Sequence, residues 1–477
     1  MLNRRDTLKI GAVAGVALAI PAGQVVDALS GTAAASPEPF TVPLPIPREL
    51  KPVFRDRAAD YYNLTIKPGT ARILQDKDTP VLTFNGEFPG PTIRATRGRQ
   101  AIVRVTNRLD SQTAVHLHGG AVPPEDDGHP LDCMEPGASR TYRYPNDQPG
   151  ATLWYHDHAH HLEAEHVYRG LSGAYIIDDP RANLPTGKYD IPLALRDVCF
   201  TEAGELRWKS GGAQERKTVL VNGAIQPMHH VERRKYRLRL INMANERNFR
   251  LRFGGAEFLL IGLDGGLLPV PIRTTEVFVS SAERADVIVD FGKFGSGSSV
   301  LMENVDGATA TDRSLLSFLV GGERVAGDAP LDLAAIAAAA PALPAKPTVA
   351  VPTRKIEFSF DTATSLFHIN GKAFDPHRID FTVKRGSTEI WEISTLGPFP
   401  IHHSLHVHLI QFRVLDRNGV PVKPLEAYPK DNVYVPFGEV VRILVTFNSH
   451  HTGVYPFHCH FVDHSSIGMM AQLEIVP

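Results

Sequence analysis

Three Asn-Gly turns constrain this chain more than any other feature. They fall at Asn85-Gly86, Asn222-Gly223 and Asn370-Gly371, and each precedes a strand-like run: "AIVRVTN" (101–107), "YRLRLIN" (236–242) and "TEIWEIS" (388–394). In these runs apolar and polar residues alternate, the pattern of a half-buried strand. From the Asn of each turn to the last residue of its strand is 22, 20 and 24 residues. A unit that recurs three times at domain-sized intervals is an internal repeat. It predicts an all-β chain of three β-sandwich domains, consistent with 477 residues, too many for one core.

Composition places the boundaries. Domain one is expected over 52–180, ending where "IIDDPRANLPTGKYD" breaks the strand pattern, and domain two over 186–325. An Ala/Pro-rich linker over 326–352, with room for one short helix, leads into domain three, 353–477. Residues 36–51 carry five prolines and should lie extended along the surface.

The first 35 residues read differently. "NRRDTLK" is followed by the apolar run "IGAVAGVALAI" and by small residues ending in Ala33-Ala34-Ala35. Paired arginines, a short apolar core and an A-x-A site predict a twin-arginine export signal, 1–35, and a mature protein in the periplasm or outside the cell. The formal net charge of −2 gives no electrostatic reason to expect nucleic acid, and no later segment is apolar enough to span a bilayer. A monomer is expected. Oxidising surroundings permit a Cys133–Cys199 disulfide, which leaves Cys459 in need of a reason.

That reason lies among the histidines. Ten of the 21 sit in four clusters: "HLHGG" (His116, His118), "WYHDH" (His156, His158), "HSLHVH" (His403, His406, His408) and "HCHFVDH" (His458, His460, His464). H-x-H on a strand aims both imidazoles at one face, so pairs from two distant parts of the chain can enclose one metal cluster. In His458-Cys459-His460 the thiolate faces away from its flanking histidines, one residue from a second site. His403, His464 and Met469 are available to complete that site. Two imidazoles, a thiolate and a weak thioether suit copper, whereas a structural zinc site gains nothing from methionine.

The four motifs, in this order and spacing, resemble those of the three-domain multicopper oxidases. "FNGEFPGPTI" (84–93) adds to the likeness. "LIGLDGGLLP" (260–269), "HLIQFRVLDR" (408–417), "NVYVPFGEVVRILVTF" (432–447) and "VYRGLSGAYIIDDP" (167–180) are most similar to the bacterial spore-coat laccase and bilirubin oxidase branch. The resemblance implies three cupredoxin-like Greek-key sandwiches and four copper ions. His403, Cys459, His464 and Met469 would hold a type 1 copper, and His116 and His406 a type 2 copper. His118, His156 and His460 would serve one type 3 copper, and His158, His408 and His458 the other. Domain two, without such a cluster, would be structural.

The resemblance also implies an acid near the type 2 copper, here Asp127 with Asp126 as rival. Relatives of this branch carry Glu directly after the type 1 histidine, a place held here by Ser465; Asp463 is then the nearest acid in sequence to supply protons. His160, His161 and His166 are expected to decorate a solvated segment, as are His229-His230 and His450-His451. The implied activity is one-electron oxidation of a small phenolic, aminophenolic or bilirubin-like donor, entering at His464, coupled to reduction of O2 to water. The alternatives are a metal oxidase for Cu(I) or Mn(II) and an exported, non-catalytic scaffold; a full ligand set argues against the scaffold.

Overall fold

The computed structural model describes residues 35–477 except 326–327, 344–346, 396 and 398. The expected export signal lies outside the described residues, apart from Ala35. Strands fall into three consecutive groups, 54–178, 190–324 and 353–476, and each group forms two sheets. The pairs have five and four, seven and five, and six and five strands. Each pair closes on its own apolar core; Tyr142, Phe249 and Trp391 are among the fully buried side chains of the three.

The Asn-Gly repeat is a physical clip. All six residues have φ between 51° and 86°, the region that Asn and Gly tolerate best. In each domain the Asn side chain straddles the opening strand. Asn85 Oδ1 accepts from Thr65 N at 2.7 Å and its Nδ2 donates to Asn63 O at 3.1 Å. Asn222 does the same with Ala194 and Pro192 (2.7 and 3.0 Å), and Asn370 with Glu357 and Lys355 (2.7 and 3.1 Å). The three runs singled out in the sequence then pair in parallel with those opening strands.

The linker contributes the helix Leu333–Ala339, capped by Asp332, whose Ile336 and Ala339 are buried against Ala182, Ile261 and Leu267. The proline-rich start runs along domain two, where Leu44 N donates to Met228 O and Leu44 is buried. Among the described residues no helix is long and apolar enough to cross a membrane. Cys133 and Cys199 are not bonded to each other. Each thiol is engaged locally instead, Cys133 with Pro130 O and Cys199 with Arg207 O, both at 3.3 Å.

Candidate metal centres and donor pocket

Four strands and two short helices position the site. In domain one these are β1 (Val115–His118), β2 (Ala151–Asp157) and helix α1 (Glu163–Arg169). Domain three supplies β3 (His403–Val407), β4 (Gly453–Cys459) and helix α2 (Val462–Ser465). β1 pairs with β2 so that His116 opposes His156, and β3 pairs with β4 so that His406 opposes His458. The two ribbons meet face to face. His116 stacks on His408 and His118 on His406, each with ring centroids 3.8 Å apart.

Eight histidines converge there, all with 1% exposure or less. Hydrogen bonds fix most of their tautomers. His116 Nδ1 donates to Asp127 O (2.6 Å), His156 Nδ1 to Asp157 O (2.7 Å), His406 Nδ1 to Asp431 O (2.8 Å) and His458 Nδ1 to Cys459 O (3.0 Å). His408 Nδ1 donates to the Asp127 carboxylate at 2.7 Å. Each of these five therefore presents an Nε2 lone pair inward. His118 is reversed: its Nε2 donates to Asp431 Oδ1 at 3.0 Å, leaving Nδ1 without a partner.

The inward atoms have the wrong company for a metal-free protein. The Nε2 atoms of His158, His408 and His458 lie 3.2–3.3 Å from one another, and those of His408 and His458 are fixed as acceptors. His116 Nε2, His156 Nε2, His406 Nε2 and both nitrogens of His460 are buried without a partner. Acceptors so arranged repel unless a cation lies between them. Burial lowers the basicity of seven of the eight, His458 to about 4, so these imidazoles are neutral and ready to ligate at neutral pH.

The second cluster is local. His403 Nδ1 and His464 Nδ1 are 3.1 Å apart, each 3.6 Å from Cys459 Sγ. Met469 is fully buried in the same core, its backbone bonded to Cys459 N and His464 O. Met470, by contrast, sits opposite His458 in the ladder and so on the other face from Cys459. Burial pushes the Cys459 thiol up to about 12 and His464 down to about 4. His402, the neighbour of His403, instead accepts from Phe437 N.

Asp127 reaches both His116 and His408, whereas its rival Asp126 contacts Arg143. Asp463 is held by the Arg216 guanidinium and by Asn245 Nδ2 (2.9 Å), which fixes the loop around His464. The acid that meets Ser465 comes from elsewhere. Glu163 Oε2 accepts from Ser465 Oγ at 2.9 Å, and Oε1 lies 3.9 Å from the Nδ1 of both His156 and His158. Burial raises this carboxyl to about 8. The segment expected to be solvated is so only at its start, where His161 is exposed and His160 half-buried; α1 buries Glu163 and His166, and His166 faces the Asp157 carboxylate at 3.3 Å. Nothing in the local pattern separates Glu163 from Glu165, which pairs with Arg169 on the outside. His229-His230 and His450-His451 join no metal-competent group among the described residues.

Domain two provides none of the converging ligands, yet it is more than a spacer. Arg284 clamps the Asp431 carboxylate with two bonds of 2.6 Å, and Asp431 holds His118. Residues of domain two also line a cavity of about 390 Å³ at the edge of His464, including Asp197, Glu246 and Asn248. Opposite them lie Pro400, Ile401, Tyr434 and Phe461.

Sequence models of the multicopper oxidase family match residues 65–182, 152–298 and 342–477. A laccase from Bacillus subtilis is 34% identical, with 92% of this chain and 98% of the relative aligned. A bilirubin oxidase from Albifimbria verrucaria is also 34% identical, over 91% of this chain and 80% of its own length. Among solved structures, a laccase from Pediococcus acidilactici superposes with a TM-score of 0.83 at 33% identity, covering 93% of this chain and 95% of that one. Three family matches, relatives aligned almost end to end and two converging sets of ligand atoms agree: the chain belongs to the multicopper oxidase family.

Proposed function

We propose that the chain is an exported laccase-type oxidase that takes single electrons from small organic donors at His464 and delivers them to O2. In this reading His403, Cys459, His464 and Met469 hold the type 1 copper, and His116 and His406 the type 2 copper. His118, His156 and His460 hold one type 3 ion, and His158, His408 and His458 the other. Bound copper supplies reversible one-electron chemistry at the first cluster and the reduction of oxygen at the second.

The observation that carries this reading is the placement of Cys459. Its thiol belongs to the local cluster while the residues on either side of it belong to the eight-histidine cluster, so one covalent link joins the two. His464 exposes its ring edge to the cavity, which puts a donor within reach without opening the oxygen site to solvent. Asp127 orients His116 and His408, and Asp431 orients His118 and His406. Glu163, protonated at neutral pH and closed to bulk water, is the acid placed to hand protons towards the type 3 histidines. Asp463 anchors the His464 loop instead.

An organic donor is favoured over Cu(I) or Mn(II) by the cavity itself, which has an apolar wall and, among the described residues, no converging trio of metal-competent ligands. The test is oxygen uptake by the copper-loaded protein with a phenol, with copper counted per chain. Four coppers and phenol-dependent uptake are expected; uptake driven by Mn(II) or Cu(I) but not by the phenol would reverse the choice. Export is tested by fractionating cells that express the full chain and an Arg4→Lys, Arg5→Lys variant, in which the protein should remain inside.

A further inference from the structure

Helices α1 and α2 belong to different domains, yet they are bonded to each other. Ser465 Oγ donates to Glu163 Oε2 (2.9 Å), and Ala164 N donates to Ser466 Oγ (3.0 Å). A third connection comes from domain two. Asn245 stands three residues after the strand Lys235–Asn242 and is 3% exposed. Its Nδ2 donates to Ala164 O and to Asp463 Oδ1, both at 2.9 Å, and its backbone carbonyl accepts from Val462 N at 3.0 Å. The segment that carries it is anchored beside a metal ligand, because Ser281 Oγ reaches both Ala244 O (2.6 Å) and His460 O (3.0 Å).

We propose that Asn245 is a positioning residue that ties the electron-entry loop to the acid-bearing helix. One amide group sets the register of α2, which carries His464, against α1, which carries Glu163. What this adds to the oxidase reading rests on the roles given above to His464 and Glu163; the link itself depends on the protonation of neither. A side-chain amide has two hydrogens to give, and here each engages one helix. An aspartate of the same shape has none, and a serine has one. Ala164 and Asp463 are both buried, so water does not replace a donor removed from between them. Asp463 Oδ2 is already held by Arg216, which leaves Oδ1 for Asn245.

The experiment separates the two arms of the amide. Asn245→Asp keeps the shape and removes both hydrogens; Asn245→Ala removes them without adding charge and serves where the carboxylate prevents folding. Asn245→Asp combined with Asp463→Asn turns the bond to α2 around. The new amide can offer its nitrogen to the new carboxylate and its oxygen to Arg216, while Ala164 O stays without its donor. In the copper-free protein, amide exchange followed by mass spectrometry should quicken about tenfold in α1 and in α2 for either single variant, the scale of one lost hydrogen bond. In the exchanged pair α2 should return to wild-type protection and α1 should not. In the copper-loaded protein the paramagnetic signal of the type 1 site should broaden in the single variants and recover in the exchanged pair. Reoxidation by O2 should be about tenfold slower in all three, the cost of a misplaced group, and less than the loss of the Glu163 carboxyl, which Ser465 Oγ still holds. In a Glu163→Gln background Asn245→Ala should add little to the slowing. Unchanged exchange and signal in Asn245→Ala would overturn the proposal. Recovery of both helices in the exchanged pair would also overturn it, because α1 would then need no bond of its own to Asn245. A full tenfold slowing on top of Glu163→Gln would do the same, by showing that the amide acts through another group. If Glu163→Gln alone reoxidises at the wild-type rate, the acid reading fails instead, and the exchange of α1 still decides the link.

Discussion

The two metal clusters are built in opposite ways. The Cys459 cluster uses residues within 67 positions of one domain, and a single loop, α2, carries His464 between Cys459 and Met469. The eight-histidine cluster joins strands of domain one to strands of domain three, and its ring stacks pair residues up to 292 positions apart. One cluster is a property of a sandwich; the other is a property of an interface. A local site keeps its ligands close when the domain interface loosens, whereas a shared one depends on everything that holds the domains in register.

The largest expected effect separates them outright. Cys459→Ser should abolish the intense blue absorption and copper binding at the local cluster, because only the thiolate supplies that charge-transfer band. Copper analysis and paramagnetic resonance should still find the eight-histidine cluster populated. A blue variant would break the assignment, and loss of all copper would show the clusters to be interdependent.

Asp431→Asn attacks the shared cluster from its domain-two side. Arg284 would keep at most one of its two 2.6 Å bonds, now to an amide oxygen, and both Arg284 and His118 would lose a charged partner. Removing one partner of a buried ion pair costs up to about 3 kcal/mol, here tempered by the Asp264 carboxylate 3.5 Å from Arg284 Nη1. The expected result is depletion of type 2 and type 3 copper with the blue band retained. A variant that loses blue colour first would mean that domain two braces the clusters in the reverse order.

Glu163→Gln should slow reoxidation of the reduced enzyme by about 100-fold, the scale of a lost general acid, while reduction by the donor keeps its rate. Stopped-flow mixing with oxygen measures it. Because Ser465 Oγ can still donate to the amide oxygen, packing is preserved, and the double variant with Ser465→Glu, which returns a carboxyl beside the same contact, should recover much of the rate. Unchanged reoxidation in Glu163→Gln would exclude it as the proton source.

How far the sequence was legible follows the same division. The H-x-x-H-x-H and H-C-H spacings single out ligands because strand alternation alone determines which side chains share a face. The Asn-Gly turns reveal the sandwich repeat because the clip is local, spanning one turn and two strand residues. Glu163, Arg284, Asp431 and Asp197 are illegible for the complementary reason. Their roles depend on partners 302, 147, 313 and 50 positions away in Ser465, Asp431, His118 and Arg247. Asp463 was the natural substitute for a missing acid by adjacency, but on α2 its side chain turns to Arg216 and Asn245 while Ser465 turns to α1.

Acid should act on both clusters of the copper-free protein. Unfolded histidine takes up its proton near pH 6.5, whereas His458 and His464 do so only at about 4 because burial penalises the charged form. Between those values the unfolded chain binds more protons, so stability falls as pH drops from 6.5 to 4, by on the order of 3 kcal/mol for each of the two. Glu163 opposes this, since its folded-state value of about 8 favours the native state as pH falls from 8 towards 4.5. Burial also raises Asp197, Glu246, Glu283 and Asp431, but these carboxyls are outnumbered by the buried histidines, nine of which have lowered basicity across the two clusters. Thermal unfolding of the copper-free protein should therefore move to lower temperature from pH 7 to pH 5; a midpoint that holds or rises would contradict the buried, neutral state of these rings.

The smallest expected effect belongs to the local cluster alone. Met469 stands on the Cys459 face of the sheet, and its backbone N–H and carbonyl are tied to His464 O and Cys459 N. Its thioether is therefore delivered by the same loop that delivers the imidazole, whatever happens at the domain interface. A weak sulfur donor favours the oxidised ion slightly, so Met469→Leu should raise the reduction potential of the blue site, by on the order of 60 mV, a tenfold change in a one-electron equilibrium. Leucine fills nearly the same volume, so the fold and the eight-histidine cluster should be untouched. Redox titration of the blue band decides it. A potential that does not move would take Met469 out of the ligand set. A potential that moves together with the type 3 signals would show that the two clusters are less separable than their construction implies.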